Sequence, residues 1–258
     1  MRKAIIGGTG VYDLGETASR EVITEYGTVE VDILNIKGEE IAFLPRHGKG
    51  HSIPPHLINY RANLMALKEL GVKYIYASCA VGSMNENFAP GEAVLIKDFI
   101  DFTKKRPLTF YEGGKRGVAH VPMDEPYCPN LRKKFVKHAK KTGLDIKGEA
   151  VYVCTEGPRF ETASEIRMFQ RLGADVVGMT NVPEVVLANE LGMCYQAVAI
   201  ITNWCTGFKG MLLDHDIKGI MEENKELITS TFISVLTEEE LTQDECNCEN
   251  PLLIMGLI

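Results

Sequence analysis

No apolar run in this chain approaches the roughly 20 residues needed to cross a bilayer, so nothing in it reads as a membrane-spanning helix. Basic charge is also short: 28 Lys and Arg face 35 Asp and Glu, for a formal net charge of −7, and the basic residues are scattered. A nucleic-acid surface needs a concentrated basic footprint, which this pattern excludes. The opening "MRKAIIGGTG" holds only three consecutive apolar residues before its first glycine, too few for a signal peptide, so a cytoplasmic location is expected. No linker, internal repeat or low-complexity block divides the 258 residues. One domain is therefore expected over 1–258, ending in an acidic tail from about 237.

Cysteine offers no obvious metal framework. The seven cysteines, at 79, 128, 154, 194, 205, 246 and 248, are odd in number and dispersed. Five lie in apolar stretches, where cysteine behaves as a small buried hydrophobe. The exception is "CNC" at 246–248, in a polar tail. Zinc sites generally need a second ligand pair, and none is evident nearby in the sequence, so no metal is expected. Cys246 and Cys248 fit either a disulfide, of the kind tolerated inside hyperthermophiles, or a solvated thiol pair.

What is present is the balance of a soluble globular protein, 45% hydrophobic and 24% charged. Short apolar runs bounded by Gly, Pro or Asn read as strands: "KAIIGG", "VEVDILNIKGEEIAFLP", "VKYIYASCAVG", "AVLIKDFIDF", "EAVYVCTEG", "ADVVGMT" and "CYQAVAIITNW". Helical segments between them stop at Gly71, Gly143, Gly173 and Gly192, and a last helix is expected over about 214–236. This alternation predicts an α/β fold, a central mixed and largely parallel sheet flanked by helices. Ligands of such sheets bind at the C-terminal ends of strands.

Polar residues collect at those ends four times. "AIIGGTGVY" sets Thr9 in a glycine turn whose free N–H groups suit an anion. As a dinucleotide fingerprint it lacks the third glycine, so NAD is set aside. "PRHGKGHSIPPHLINYRANL" puts Arg46 and His47 directly after a strand. A metal pair of His47 and His51 would need a helix, which Gly48, Gly50, Pro54 and Pro55 disfavour. An anion site suits the planar, permanently charged arginine fork better. "ASCAVGSM" ends a strand in small residues whose backbone can line a cavity. Last come "TEGPRFETASEIRMFQRLGADVVGMTNVPEVV" and "ITNWC".

Taken in order, these motifs resemble the trimeric purine nucleoside phosphorylase family, in its methylthioadenosine-phosphorylase branch. The resemblance covers nearly the whole chain, through "GGTGVY", "RHGKGHSIPPHLINYRANLMALKELG", "VGSM", "PGEAVLIKDFIDFT", "RPLTFYEGG", "GVAHVPMDEPYCP", the long 155–186 stretch and "AIITNW"; only the acidic tail lies outside it. It implies phosphorolysis of purine nucleosides, with inorganic phosphate as co-substrate and no cofactor. It further implies a homotrimer or a homohexamer built as a dimer of trimers, with sites near subunit boundaries. By matching motifs, Thr9, Arg46, His47, Cys79, Ala80 and Thr180 are expected at phosphate, and Met179 beneath the ribose. His120 is expected to reach a neighbouring subunit's sugar site. Trp204 and Cys205 join the substrate-binding set, and His47 and Asn203 are the expected catalytic residues. Cys79 stands where the branch carries Thr, which leaves its phosphate role to the backbone.

Two further departures concern the base. The branch has a small hydroxyl residue after "GPRF" and an Asp in the later strand; here the residues are Glu161 and Asn203, similar to the 6-oxopurine-cleaving branch. A carboxylate accepts from the N1–H of hypoxanthine or guanine, and an amide donates to O6 or exchanges a hydrogen bond with N7. The competing reading of Glu161 is as part of a helix cap, since "TASE" is itself a capping box. Glu156 and Arg159 read as a structural pair inside the turn. His215 either approaches a 5′-hydroxyl or faces solvent. Inosine, guanosine and methylthioinosine all fit, and an enzyme for adenosine or methylthioadenosine is the runner-up. A water-using nucleosidase and a non-catalytic purine-binding protein are the alternatives from other classes.

Overall fold

The computed structural model describes residues 1–8, 18–209, 217–249 and 252–255. In chain order the elements are β1 (Lys3–Gly7), β2 (Ala18–Thr24), β3 (Gly27–Ile36), β4 (Glu39–Pro45), α1 (Tyr60–Glu69), β5 (Tyr74–Ser83), β6 (Ala93–Phe102), β7 (Val118–His120) and α2 (Pro129–Thr142). Then follow β8 (Ile146–Thr155), α3 (Ala163–Arg171), β9 (Val176–Gly178), α4 (Asn181–Glu190), β10 (Cys194–Trp204), α5 (Ile217–Glu238) and β11 (Leu253–Met255). None of the helices in the described residues is long and apolar enough to cross a membrane.

Nine strands form one sheet in the order β10-β6-β8-β9-β5-β1-β4-β3-β2. Because β10 also pairs with β5, the strands β5, β10, β6, β8 and β9 close on themselves, and β1, β4, β3 and β2 extend from β5. The sheet is mixed as expected, but five parallel pairings stand against four antiparallel ones. It is less parallel than its alternating pattern suggests. One cause is that "VEVDILNIKGEEIAFLP" is a hairpin, not one strand: Lys37 and Gly38 both take positive φ (54° and 81°), the backbone of a two-residue type I′ turn. Three strands lie outside the apolar runs named from the sequence: β2, which buries two of its seven residues, and the three-residue strands β7 and β11, none of whose residues is buried.

The four helices α1–α4 each stop within two residues of a positive-φ glycine, at 71, 143, 173 and 192. Asn59 caps α1 by accepting from the Ala62 N–H, and α1 buries Leu64, Ala66 and Leu67 in a core shared with α4. On the other side of the sheet α2 and α5 pack through Phe135 and Phe232, whose rings lie 5.5 Å apart and against Tyr76. Each such side chain, fully buried, contributes about 1.5–3 kcal/mol. The tail folds back on the same core, burying Leu241 and Cys248 before β11 pairs with β7.

Strands β1, β4, β5 and β10 all run parallel through their pairings. Their C-terminal ends therefore open on one side, which is where such sheets hold ligands.

Candidate active site

At those ends lies a cavity of about 340 Å³, within the size range of small-molecule sites. Of the residues singled out from the sequence, Arg46, His47, Cys79, Ala80, Glu161, Met179, Thr180, Asn203, Trp204 and Cys205 all line it. Thr9 and His215 fall outside the described residues. His120 lies elsewhere, on β7, opposite Leu253 of β11.

One wall carries Arg46, fully buried at the end of β4. Its Nε and Nη2 donate to the two carboxylate oxygens of Glu184, each at 2.6 Å, and Nη1 donates to the Ser78 carbonyl at 2.7 Å. Burial opposes the arginine charge, but Glu184 beside it overrides that and raises its pKa well above the ordinary value. Three of five N–H donors are engaged in these bonds, which leaves two outside them. Glycine at 8 permits this approach: a Cβ there would collide with the Ser78 carbonyl and Arg46 Nη1.

The His47 ring lies tilted against that of His51, with centroids 4.3 Å apart, and its Nδ1 lies 2.8 Å from the Ile53 carbonyl. Only a protonated Nδ1 makes that a hydrogen bond, so Nε2 is the acceptor in the neutral ring. Burial first, then the Arg46 charge, lowers the His47 pKa to about 4. The helix that a His47–His51 metal pair would require is absent; the segment is a short 3₁₀ turn containing Gly50 at φ 71°. Cys79 accepts from Asn181 Nδ2 at 3.2 Å, and burial pushes its thiol up to about 11, so it stays neutral. Thr180 precedes α4, and its side chain makes no capping bond to that helix.

The opposite wall carries Glu161 and Asn203. The Thr155 hydroxyl donates to Glu161 Oε1 at 2.6 Å, leaving Oε2 outside that bond. The cap of α3 is made without Glu161: Thr162 accepts from the Glu165 N–H while Glu165 accepts from the Thr162 N–H. Glu161 is thus a cavity residue and the capping reading is excluded. Asn203 is turned by a register shift in β10 between Ile201 and Asn203, the local re-aiming that a β-bulge produces. Its Oδ1 accepts from Thr202 at 2.8 Å and its Nδ2 donates to the Trp204 carbonyl at 2.9 Å. Those bonds fix the amide and leave one N–H. Gly82 makes room: a Cβ there would lie 3.3 Å from Asn203 Nδ2 and 3.0 Å from Cys205 Sγ.

Two supporting residues escaped sequence reasoning. Glu184 is the buried partner of Arg46 and also accepts from the Tyr195 hydroxyl at 2.6 Å. Arg106, from "RPLTFYEGG", donates to the carbonyls of Val182, Thr155 and Glu156, tying the loop that leads to Glu161 to the start of α4. A lone Arg before Pro gave no signal for that. The expected pairing of Glu156 with Arg159 is also corrected. Arg159 binds both oxygens of Glu165, while Glu156 accepts from the Lys104 N–H and sits 3.8 Å from Arg106.

Residues 2–236 match the family model of the Phosphorylase superfamily. The chain belongs to that family. This phosphorylase is 49% identical over 259 residues to the 6-oxopurine nucleoside phosphorylase of Pyrococcus furiosus, across 97% of each chain. It is 46% identical over 259 residues to the S-methyl-5′-thioadenosine phosphorylase of Pyrococcus abyssi, again across 97% of each. Among solved structures it resembles a methylthioadenosine phosphorylase from an antarctic soil metagenomic library, with a TM-score of 0.87 and 33% identity, over 96% of this chain and 90% of that one. The phosphorylase tail beyond residue 236 lies outside the family match.

Proposed function

We propose that this phosphorylase cleaves 6-oxopurine nucleosides, inosine or guanosine and also 5′-methylthioinosine, to the free base and ribose 1-phosphate or its methylthio form. The observation that carries the reading is the pair Glu161 and Asn203 on one cavity wall, each held by its own hydrogen bond with one group left over. Glu161 Oε2 suits the N1–H of a 6-oxopurine, and the remaining Asn203 N–H suits O6 or N7. The relative from Pyrococcus furiosus, named for 6-oxopurines, supports it. The relative from Pyrococcus abyssi, named for methylthioadenosine, favours the 6-amino reading as the second choice.

In this reading a phosphate oxygen bonds to the anomeric carbon as the carbon–N9 bond breaks, and the electron pair passes into the purine. Asn203 stabilises the charge that builds there, the kind of preorganised donor that acts most strongly in the transition state. Arg46 offers phosphate its two remaining N–H donors, with Ala80 backbone and the Thr180 hydroxyl beside it. Neutral His47 accepts at Nε2 from a phosphate hydroxyl, and Met179 lies under the ribose. Inorganic phosphate is the co-substrate, and no cofactor takes part.

A homotrimer or a dimer of trimers is part of the same reading. His120 belongs to the β7–β11 pair, where Val118, Leu253, Ile254 and Met255 are all exposed, an apolar surface of the kind that marks contact with another chain. The seven free cysteines suit a reducing, cytoplasmic compartment. The test is a panel of inosine, guanosine, adenosine, methylthioinosine and methylthioadenosine, each with and without phosphate. Cleavage of 6-oxopurines only with phosphate is expected; equal cleavage without it would make the protein a nucleosidase.

A further inference from the structure

Far from the catalytic cavity, the fold gathers four cysteines that are remote in sequence. We propose that Cys128, Cys194, Cys246 and Cys248 form a tetrathiolate site for a structural zinc ion that ties the C-terminal tail to the sheet. Their four sulfurs all lie within 4.8 Å of one another, and Cys194 Sγ is 3.5 Å from Cys246 Sγ. A zinc ion bound at about 2.3 Å by four thiolates sets tetrahedral sulfur–sulfur edges of about 3.8 Å. The spacing brackets that value, and none of the four is joined to another in a disulfide. Every sulfur is within reach of the other three, as four ligands of one ion must be.

Three chain segments converge to do this. Cys128 is the N-cap of α2, held by its N–H on the Tyr195 carbonyl at 2.8 Å, and Cys194 is the first residue of β10. Cys246 and Cys248 come from the tail, where the Cys246 N–H closes a turn on the Gln243 carbonyl. The expectation that "CNC" lacks a second ligand pair counted ligands along the chain; the pair is supplied from 128 and 194. Cys248 is buried, so the solvated-thiol reading does not hold for it.

The surroundings suit thiolates. Binding releases the four thiol protons and leaves the site with a net charge of two negative units. The N-terminus of α2 presents its positive end to Cys128, with no acidic residue in its first turn. The Gln243 amide reaches Cys194 Sγ at 3.7 Å. Beside Cys246 and Cys248 runs a cleft lined by Asp124, Glu125, Asp244 and Glu245, an acidic approach for a divalent cation. All four positions are filled by protein sulfur, the closed arrangement of a structural site, and soft thiolates select zinc over harder ions.

The full-length protein, expressed with added zinc and purified in reducing buffer without chelator, should hold one zinc ion per chain by elemental analysis. Replacing zinc by cobalt should give the visible absorption of tetrahedral cobalt thiolate. The double variant Cys246→Ser/Cys248→Ser should lose the metal and melt at lower temperature, while kcat/KM for its nucleoside stays unchanged. Wild-type protein that takes up neither zinc nor cobalt in stoichiometric amount would overturn the proposal. So would an intact mass, measured without reduction, that is lighter by the hydrogens lost to disulfides.

Discussion

Arg46→Ala should damage this phosphorylase in two separable ways. The first is stability. Both side chains of the Arg46–Glu184 pair are 0% exposed, so the substitution strands a carboxylate that keeps only neutral company such as the Tyr195 hydroxyl. Breaking a buried pair by removing one partner costs about 3–5 kcal/mol. In a chain of this size each kcal/mol lowers Tm by about 2–4 °C, so a drop of roughly 6–20 °C is expected. The second is catalysis: phosphate loses a charge-assisted anchor, KM for phosphate rises, and kcat/KM falls by about 10²-fold or more. A double variant, Arg46→Met with Glu184→Gln, removes both charges and keeps an acceptor for Tyr195. Thermal melts of the double variant should recover at least about half of the lost stability, because neutral replacement of a buried pair is far cheaper than breaking it. Its initial rates against phosphate, taken well below Tm, should remain as poor as those of the single variant. A single variant melting within about 1 kcal/mol of wild type would refute the stranded-charge reasoning. A double variant with the wild-type phosphate KM would remove Arg46 from the phosphate site.

Three further outcomes are expected. Wild type should prefer inosine over adenosine by about 10²-fold or more, because adenine sets the Glu161 carboxylate against a lone pair. Asn203→Asp should raise adenosine cleavage modestly and depress inosine cleavage, and adding Glu161→Ser should raise adenosine cleavage further; a native preference for 6-aminopurines would sink this reading. For His47 the ordinary pKa of 6.5 falls to about 4 in the fold, so between those values the unfolded chain binds the extra proton. Its contribution to stability is complete above pH 6.5 and fades as pH drops toward 4. His47→Asn should therefore show a shallower loss of Tm than wild type over that window, and parallel melting curves would contradict the assignment. Finally, specific activity should fall on dilution through subunit dissociation if His120 completes a neighbour's site, and a fully active monomer would exclude that role.

The residues that face the cavity were legible because short motifs carry them, and those motifs resemble a known family; ten of the residues named from the sequence line one space. The strong strands and the glycine-terminated helices were legible for the same reason, since period and punctuation are properties of short windows. β2, β7 and β11 were not: β2 buries only two of its seven residues, and β7 and β11 are three residues long, too short for an alternation to show. The "VEVDILNIKGEEIAFLP" run failed differently: Lys37 occupies a positive-φ turn position where Asn or Asp would have announced a hairpin.

The missed residues share a physical trait: each acts on something distant in sequence. Glu184 matters because it meets Arg46, 138 positions away, and Arg106 because it collects carbonyls from the end of β8 and from the start of α4. The cysteines at 128 and 194 gain meaning only when the tail folds onto them. Such groups also look wrong locally, since a glutamate buried in a helix reads as a defect until its partner is known. Its partner repairs the defect, and the partner is one of the side chains that line the cavity. In this phosphorylase the ligand-facing chemistry is written in strand-end motifs, while the charge that permits it is supplied from the helix behind. A search for function by motif therefore finds Arg46 and not the carboxylate that lets Arg46 be buried and charged at once.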